Sequence, residues 1–237
     1  MYPKRSAILF LATIFLLAVA LSGCAAVEEN KTPVAAGNPA GANSASGKLP
    51  VTTTSEDART EFLQGRDLAE KLRIQDSIQH FDKAISLDPN FALAELNRAQ
   101  VSPTGKEFFD HLKKAVGLAD KASNGERLLI LANEAGANGN VAKQKELLDQ
   151  LVAAYPNDER AHFNLGGYYF GQQDFPQAIE HYRKATELSP TYSTAFNILG
   201  YAYRQNADYA NAETAFKKYI ELIPKDPNPY DSYASCF

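Results

Sequence analysis

The chain has 237 residues with 24 Lys and Arg against 28 Asp and Glu, a formal charge of −4, and no basic block. That balance argues against nucleic acid as a partner, which calls for a cationic face. β-Branched residues alternate with polar ones over no run of six, so nothing reads as a strand and an all-α chain is expected.

Residues 1–23 read as a secretory signal sequence. Lys4 and Arg5 form a short basic start, and Ala7 to Leu21 is an apolar run interrupted only by Thr13. The run is shorter than the roughly 20 residues needed to cross a hydrocarbon core, and it leads into Leu21-Ser22-Gly23-Cys24. Leu-Ser-Gly-Cys resembles the lipobox of bacterial lipoproteins. The resemblance implies that Cys24 becomes the first mature residue and carries a diacylglyceryl group, often with an acylated amino terminus. Several acyl chains anchor stably where one binds only marginally. Cleavage removes Lys4 and Arg5 but no acid, leaving 22 bases, 28 acids and a charge of −6. The lipid, not a polybasic patch, is then the expected membrane attachment. With Cys24 acylated only Cys236 remains, so packing rather than a disulfide has to supply stability. Ala25, not Asp, follows the cysteine. By resemblance to the sorting rules of some Gram-negative bacteria, this implies the outer membrane, with the protein on the extracytoplasmic face.

Residues 24–55 are expected to form a flexible tether behind the lipidated cysteine. Ala25 to Gly47 is mostly Ala, Gly, Asn, Ser and Pro with no aromatic residue. Such a segment buries too little apolar surface to offset its ordering entropy, and its root-mean-square reach is roughly 30 Å.

An internal period follows over residues 56–226. Glu159 to Tyr192 contains Leu165, Gly166, Tyr169, Ala178, Tyr182, Ala185 and Pro190, and Ser193 to Asp226 contains Leu199, Gly200, Tyr203, Ala212, Phe216, Tyr219 and Pro224, each position 34 residues on. The same ruler places Gly65, Leu68, Ser77, Phe81, Ala84 and Pro89 in an earlier copy. This arrangement of small, aromatic and proline positions resembles the tetratricopeptide repeat (TPR). Five units are expected, at 58–91, 92–124, 125–158, 159–192 and 193–226. Pro103 and Gly105 should shorten the first helix of the second unit. Small residues such as Gly166 and Ala178 are expected to face each other where helices meet, with the aromatics filling the space between repeats. Each unit is an amphipathic pair that needs its neighbours to complete a core. The resemblance implies a right-handed α-α superhelix, a solenoid of antiparallel helix pairs. Residues 227–237 open an incomplete sixth repeat, with Tyr230 and Ala234 in place and no second helix. The run resembles one that continues into further repeats in a group of bacterial TPR proteins, so a fragment or frameshifted product is expected.

No chemistry gathers in this pattern. His80, His111, His162 and His181 form no His-x-x-x-His pair, and Glu159 with His162 gives one Glu-x-x-His where a di-metal bundle needs two. His162 is expected to pack in the repeat core, and His80 and His181 to lie on second-helix surfaces. Gly166-Gly167 is a helix-packing pair rather than a phosphate loop. No enzyme activity, metal, cofactor or small-molecule substrate is therefore expected.

A binding surface is better supported. The resemblance implies that the first helix of each repeat lines a concave groove, which here presents Arg160, Phe163, Asn164 and Phe170 from the fourth unit and Asn197, Tyr201 and Arg204 from the fifth. The asparagines suit a peptide backbone, the arginines suit carboxylates, and aromatics with Arg are favoured at hot spots. Phe163, Phe170 and Tyr201 equally suit packing between repeats. The expected function is a membrane-anchored scaffold of the bacterial cell envelope that binds partner proteins or peptides. The alternative is an accessory module of a larger protein or complex with enzymatic or sensory activity.

Overall fold

In the computed structural model, which describes residues 47–235, helices come in pairs. Residues 1–46, on which the expected signal sequence and the expected lipidation of Cys24 fall, lie outside the described residues, as do Cys236 and Phe237. The pairs are α1 (Glu56–Glu70) with α2 (Ile74–Leu87), α3 (Ala92–Gln100) with α4 (Gly105–Leu118), α5 (Asn124–Ala137) with α6 (Val141–Ala154), α7 (Glu159–Gly171) with α8 (Phe175–Leu188), and α9 (Ser193–Gln205) with α10 (Tyr209–Leu222). A short α11 (Asn228–Ala234) packs on α10. The fold is all-α, with no strand among the described residues, and no helix there is long and apolar enough to cross a membrane.

Local sequence sets these boundaries. Ser55, Thr104, Asn140, Asp158, Asp174 and Asp208 each accept a first-turn amide, and Ser123 with Glu126 forms a full capping box. The turn inside four of the five pairs has one geometry. Leu72, Gly139, Gln173 and Ala207 hold φ between 58° and 71°, and the next amide reaches back to the last turn of the first helix, as in Asp208 N to Tyr203 O at 2.9 Å. This is the Schellman stop. The second pair lacks it: α3 is cut to 9 residues, ending before Pro103 as expected, and Gly105 is the first residue of α4.

The close approach within a pair is made by a ring on a glycine. A Cβ on Gly166 would lie 2.9 Å from Cδ1 of Tyr182, and one on Gly200 would lie 2.6 Å from Cε1 of Phe216. This corrects the expected pairing of Gly166 with Ala178: the aromatics of the second helices sit inside their own pair, against the missing side chain. Each second helix then packs on the first helix of the next pair. The largest buried cluster runs from Ala58 and Phe62 through Leu96 and Ile130 to Leu165.

Two features cross the order of the repeats. The carbonyl of Glu70, at the end of α1, accepts the hydroxyls of Ser193 (2.7 Å) and Thr194 at the start of α9. Helix α1, about 22 Å long, thus joins the first pair to the fifth. Residues 48–54, which composition assigns to the tether, lie extended against the beginnings of α3, α5 and α7.

Candidate functional site

Arg160, in the first turn of α7, is the centre of a charged junction between α1 and the fourth pair. Its Nε and Nη2 donate to Glu70 at 2.9 and 2.6 Å, and Nη1 donates to Glu159. The guanidinium lies 5.6 Å from the ring centroid of Tyr192. Burial works against its charge, but Glu70, Tyr192 and Glu159 more than offset that, and its pKa stands above the ordinary value. Arg66, one turn before Glu70, is pushed the other way by burial and then by Arg160. Glu159 also accepts from Lys48. Burial would raise its pKa; the Lys48 ammonium, its own backbone amide and Arg160 bring it below the ordinary range. Lys48, Glu159, Arg160 and Glu70 therefore alternate in sign, which keeps a partly buried network satisfied.

The other groove candidates divide into packed and accessible groups. Phe163 is half-buried between Tyr182 (5.5 Å) and Tyr192 (5.1 Å), joining the two smaller core clusters. Burial raises the pKa of both tyrosines, and they stay neutral. Asn197 is buried, and its Oδ1 has no hydrogen-bond partner. Asn164 donates its amide to the carbonyl of Arg160, four residues back, at 2.8 Å. Asn97 and Asn133 make the same bond in α3 and α5. These side-chain donors are thus turned onto their own helices. Phe170 is half-buried against Phe175 at 5.6 Å. Tyr201 donates to Ser232 of α11 (3.2 Å), and Arg204 stacks over Tyr201 (5.1 Å) while donating to the carbonyl of Ser235 (2.8 Å).

Two features carried no signal in the sequence. One is Glu70, whose partners lie 90 and more residues away. The other is a histidine pair at an open cleft bordered by Pro156, Ile179, Arg183 and Glu187. His162 is buried and its Nε2 meets the carbonyl of Pro156 at 3.0 Å, so that nitrogen carries the proton. Its Nδ1 then accepts from Nδ1 of His181 at 3.1 Å. His181, on the surface of α8 as expected but only partly exposed, stacks on Tyr169 as well, with 8° between the planes, and burial followed by His162 lowers its pKa. Among the described residues no three His, Cys, Asp or Glu side chains gather as metal ligands would.

Comparison with known proteins places this geometry in a family context. Residues 130–193 and 168–227 match the tetratricopeptide repeat model. Comparison with curated protein sequences yields no match. Among solved structures, a chain of the APC/C hetero-tetramer Cut9-Hcn1 is similar with a TM-score of 0.53 at 23% identity, over 76% of this chain and 36% of that one. This chain therefore spans about a third of that relative. A thermophilic TPR protein of Thermus thermophilus is similar with a TM-score of 0.53 at 18% identity, over 76% of this chain and 98% of that one. These likenesses show a TPR-like solenoid of helix pairs.

Proposed function

We propose that this chain, with tetratricopeptide repeats matched over residues 130–227, is a lipid-anchored scaffold of the bacterial cell envelope that holds a partner protein or peptide. The TPR fold is that of a protein-protein interaction scaffold. The anchor is Cys24, on the extracytoplasmic face, in the outer membrane where the envelope has one. The observation that carries the reading is the contrast along α7 and α9. Arg160 is held by Glu70 and Glu159 and Asn197 is buried, whereas Phe170 and Arg204, at equivalent positions of adjacent repeats, keep part of their surface accessible beside their own contacts to Phe175 and Ser235. Aromatic and guanidinium groups of that kind anchor interfaces.

The mature full chain is the bait in the test, with Phe170→Ala/Arg204→Ala as its counterpart and circular dichroism to show that both fold. A partner retained from envelope extract by the wild type and lost by the folded variant is expected; equal retention places the contact elsewhere. Incorporation of labelled palmitate by the wild type and none by Cys24→Ala is expected for the anchor.

A further inference from the structure

Residues 48–54 meet the array through carboxylates, in reverse order of the repeats, and through Arg59 of α1, whose Nη1 donates to the carbonyl of Val51 at 2.6 Å. The amide of Leu49 donates to Oδ2 of Asp158 at 2.8 Å, and that of Thr52 to Oε1 of Glu126 at 2.7 Å. Oδ2 of Asp88 receives the hydroxyl of Thr53 at 2.5 Å and the amide of Thr54 at 3.4 Å. Lys48 pairs with Glu159, and Leu49 and Val51 rest on the edge of the core. No backbone-to-backbone bond joins this segment to the repeats among the described residues.

Each acceptor carboxylate has a second oxygen with a separate task. Oδ1 of Asp158 caps α7 through the amides of Arg160 and Ala161, both at 2.9 Å. Oε2 of Glu126 closes the capping box on Ser123 at 2.9 Å, and Oδ1 of Asp88 accepts the amide of Asn90 at 3.0 Å. The row is therefore held in place by the repeats' own helix starts as well as by the segment. A row of acceptors so anchored, filled by a segment held only by side-chain bonds and two half-buried apolar groups, is a binding site with an exchangeable occupant.

We infer that the junction carboxylates Asp88, Glu126, Asp158 and Glu159 form a second peptide site, occupied in cis by residues 48–54. The site takes an extended segment with a cationic side chain first, apolar groups at the next position and two further on, and hydroxyl residues after them. It reads main-chain amides where Leu49, Thr52 and Thr54 now sit, and a partner segment of this chemistry binds once the cis segment is displaced. The site lies at the helix starts, apart from Phe170 and Arg204, so its failure would leave the groove reading untouched.

The probe is a fluorescent synthetic peptide of residues 48–55, titrated into the full chain and followed by anisotropy. Leu49→Asp/Val51→Asp unseats the cis segment, and that variant should bind the probe at least about tenfold more tightly than the wild type does. Adding Glu126→Gln should weaken it again by about tenfold, because an amide offers one acceptor where Ser123 and Thr52 need two. In the wild type, the amides of Leu49, Thr52 and Thr54 should exchange with solvent faster than those of α3, α5 and α7. A folded double variant that ignores the probe would overturn the inference. So would loss of the helical signal on unseating the segment, or exchange of the three amides only on global unfolding, since each makes the segment an integral part of the fold.

Discussion

Arg160 reads from the sequence as a guanidinium for a partner's carboxylate, and the carboxylates it meets are Glu70 and Glu159 of its own chain. Removing it leaves two acids at a half-buried junction. Arg160→Ala is expected to destabilise by about 1–3 kcal/mol in urea unfolding, and a double-mutant cycle with Glu70→Ala to return a coupling of roughly 1 kcal/mol. A coupling near zero would mean that solvent already screens the pair. The acids here also set the response to pH. Asp88 and Glu159 titrate below their ordinary values of 3.8 and 4.5, because their bonds to Thr53, Asn90 and Thr54, and to Lys48 and Arg160, outweigh burial. A carboxyl held low when folded contributes stability above its unfolded pKa and loses it as pH falls through the folded one. Stability should therefore drop below about pH 4.5, and Asp88→Asn/Glu159→Gln should flatten that drop. His181 acts over a higher window. Its pKa is depressed from 6.5, so the unfolded state takes the proton first and stability falls as pH drops below that value. A denaturant midpoint that is flat from about pH 7 to 5 would contradict the histidine pairing.

In the first, fourth and fifth helix pairs, one position requires a missing side chain and another tolerates a strained one. Gly200 admits the ring of Phe216 where a Cβ would clash at 2.6 Å, so Gly200→Ala should cost about 1–3 kcal/mol through overpacking. Ala207 pairs the opposite defect with the same turn: its φ of 58° is one that an L-residue adopts at a cost, and Gly139 already occupies the equivalent place in the third pair. Ala207→Gly is expected to stabilise by up to about 1 kcal/mol in thermal unfolding. A lower melting temperature would show that chain entropy outweighs the strain. The periodic elements were legible because both signals recur: the 34-residue spacing of Gly166 with Gly200, Tyr182 with Phe216 and Pro190 with Pro224 is a nearest-neighbour property. The contact partner of those glycines was not legible, since spacing places small and aromatic residues on one face without saying which of them touch.

The molecule as a whole departs from a simple stack because α1 reaches the fifth pair and the preceding segment follows the helix starts from the fourth back to the second. Neither contact repeats, so no period carries it. Lys48 to Thr54 has only Leu49 and Val51 to mark it out from a polar tether, and its bonds are made by its backbone, which composition does not register. Closure has a consequence at Arg160: the guanidinium expected to meet a partner's carboxylate is already paired with Glu70 and Glu159. The most direct test joins the two ends covalently. With Cys24 and Cys236 replaced by serine, Glu70→Cys and Thr194→Cys stand where a carbonyl and a hydroxyl are in hydrogen-bond contact. Mild oxidation should form an intramolecular disulfide, seen as a faster band without reductant, and should leave the helical signal intact. A chain that stays reduced while a cysteine pair placed within one repeat oxidises readily would contradict the closed array.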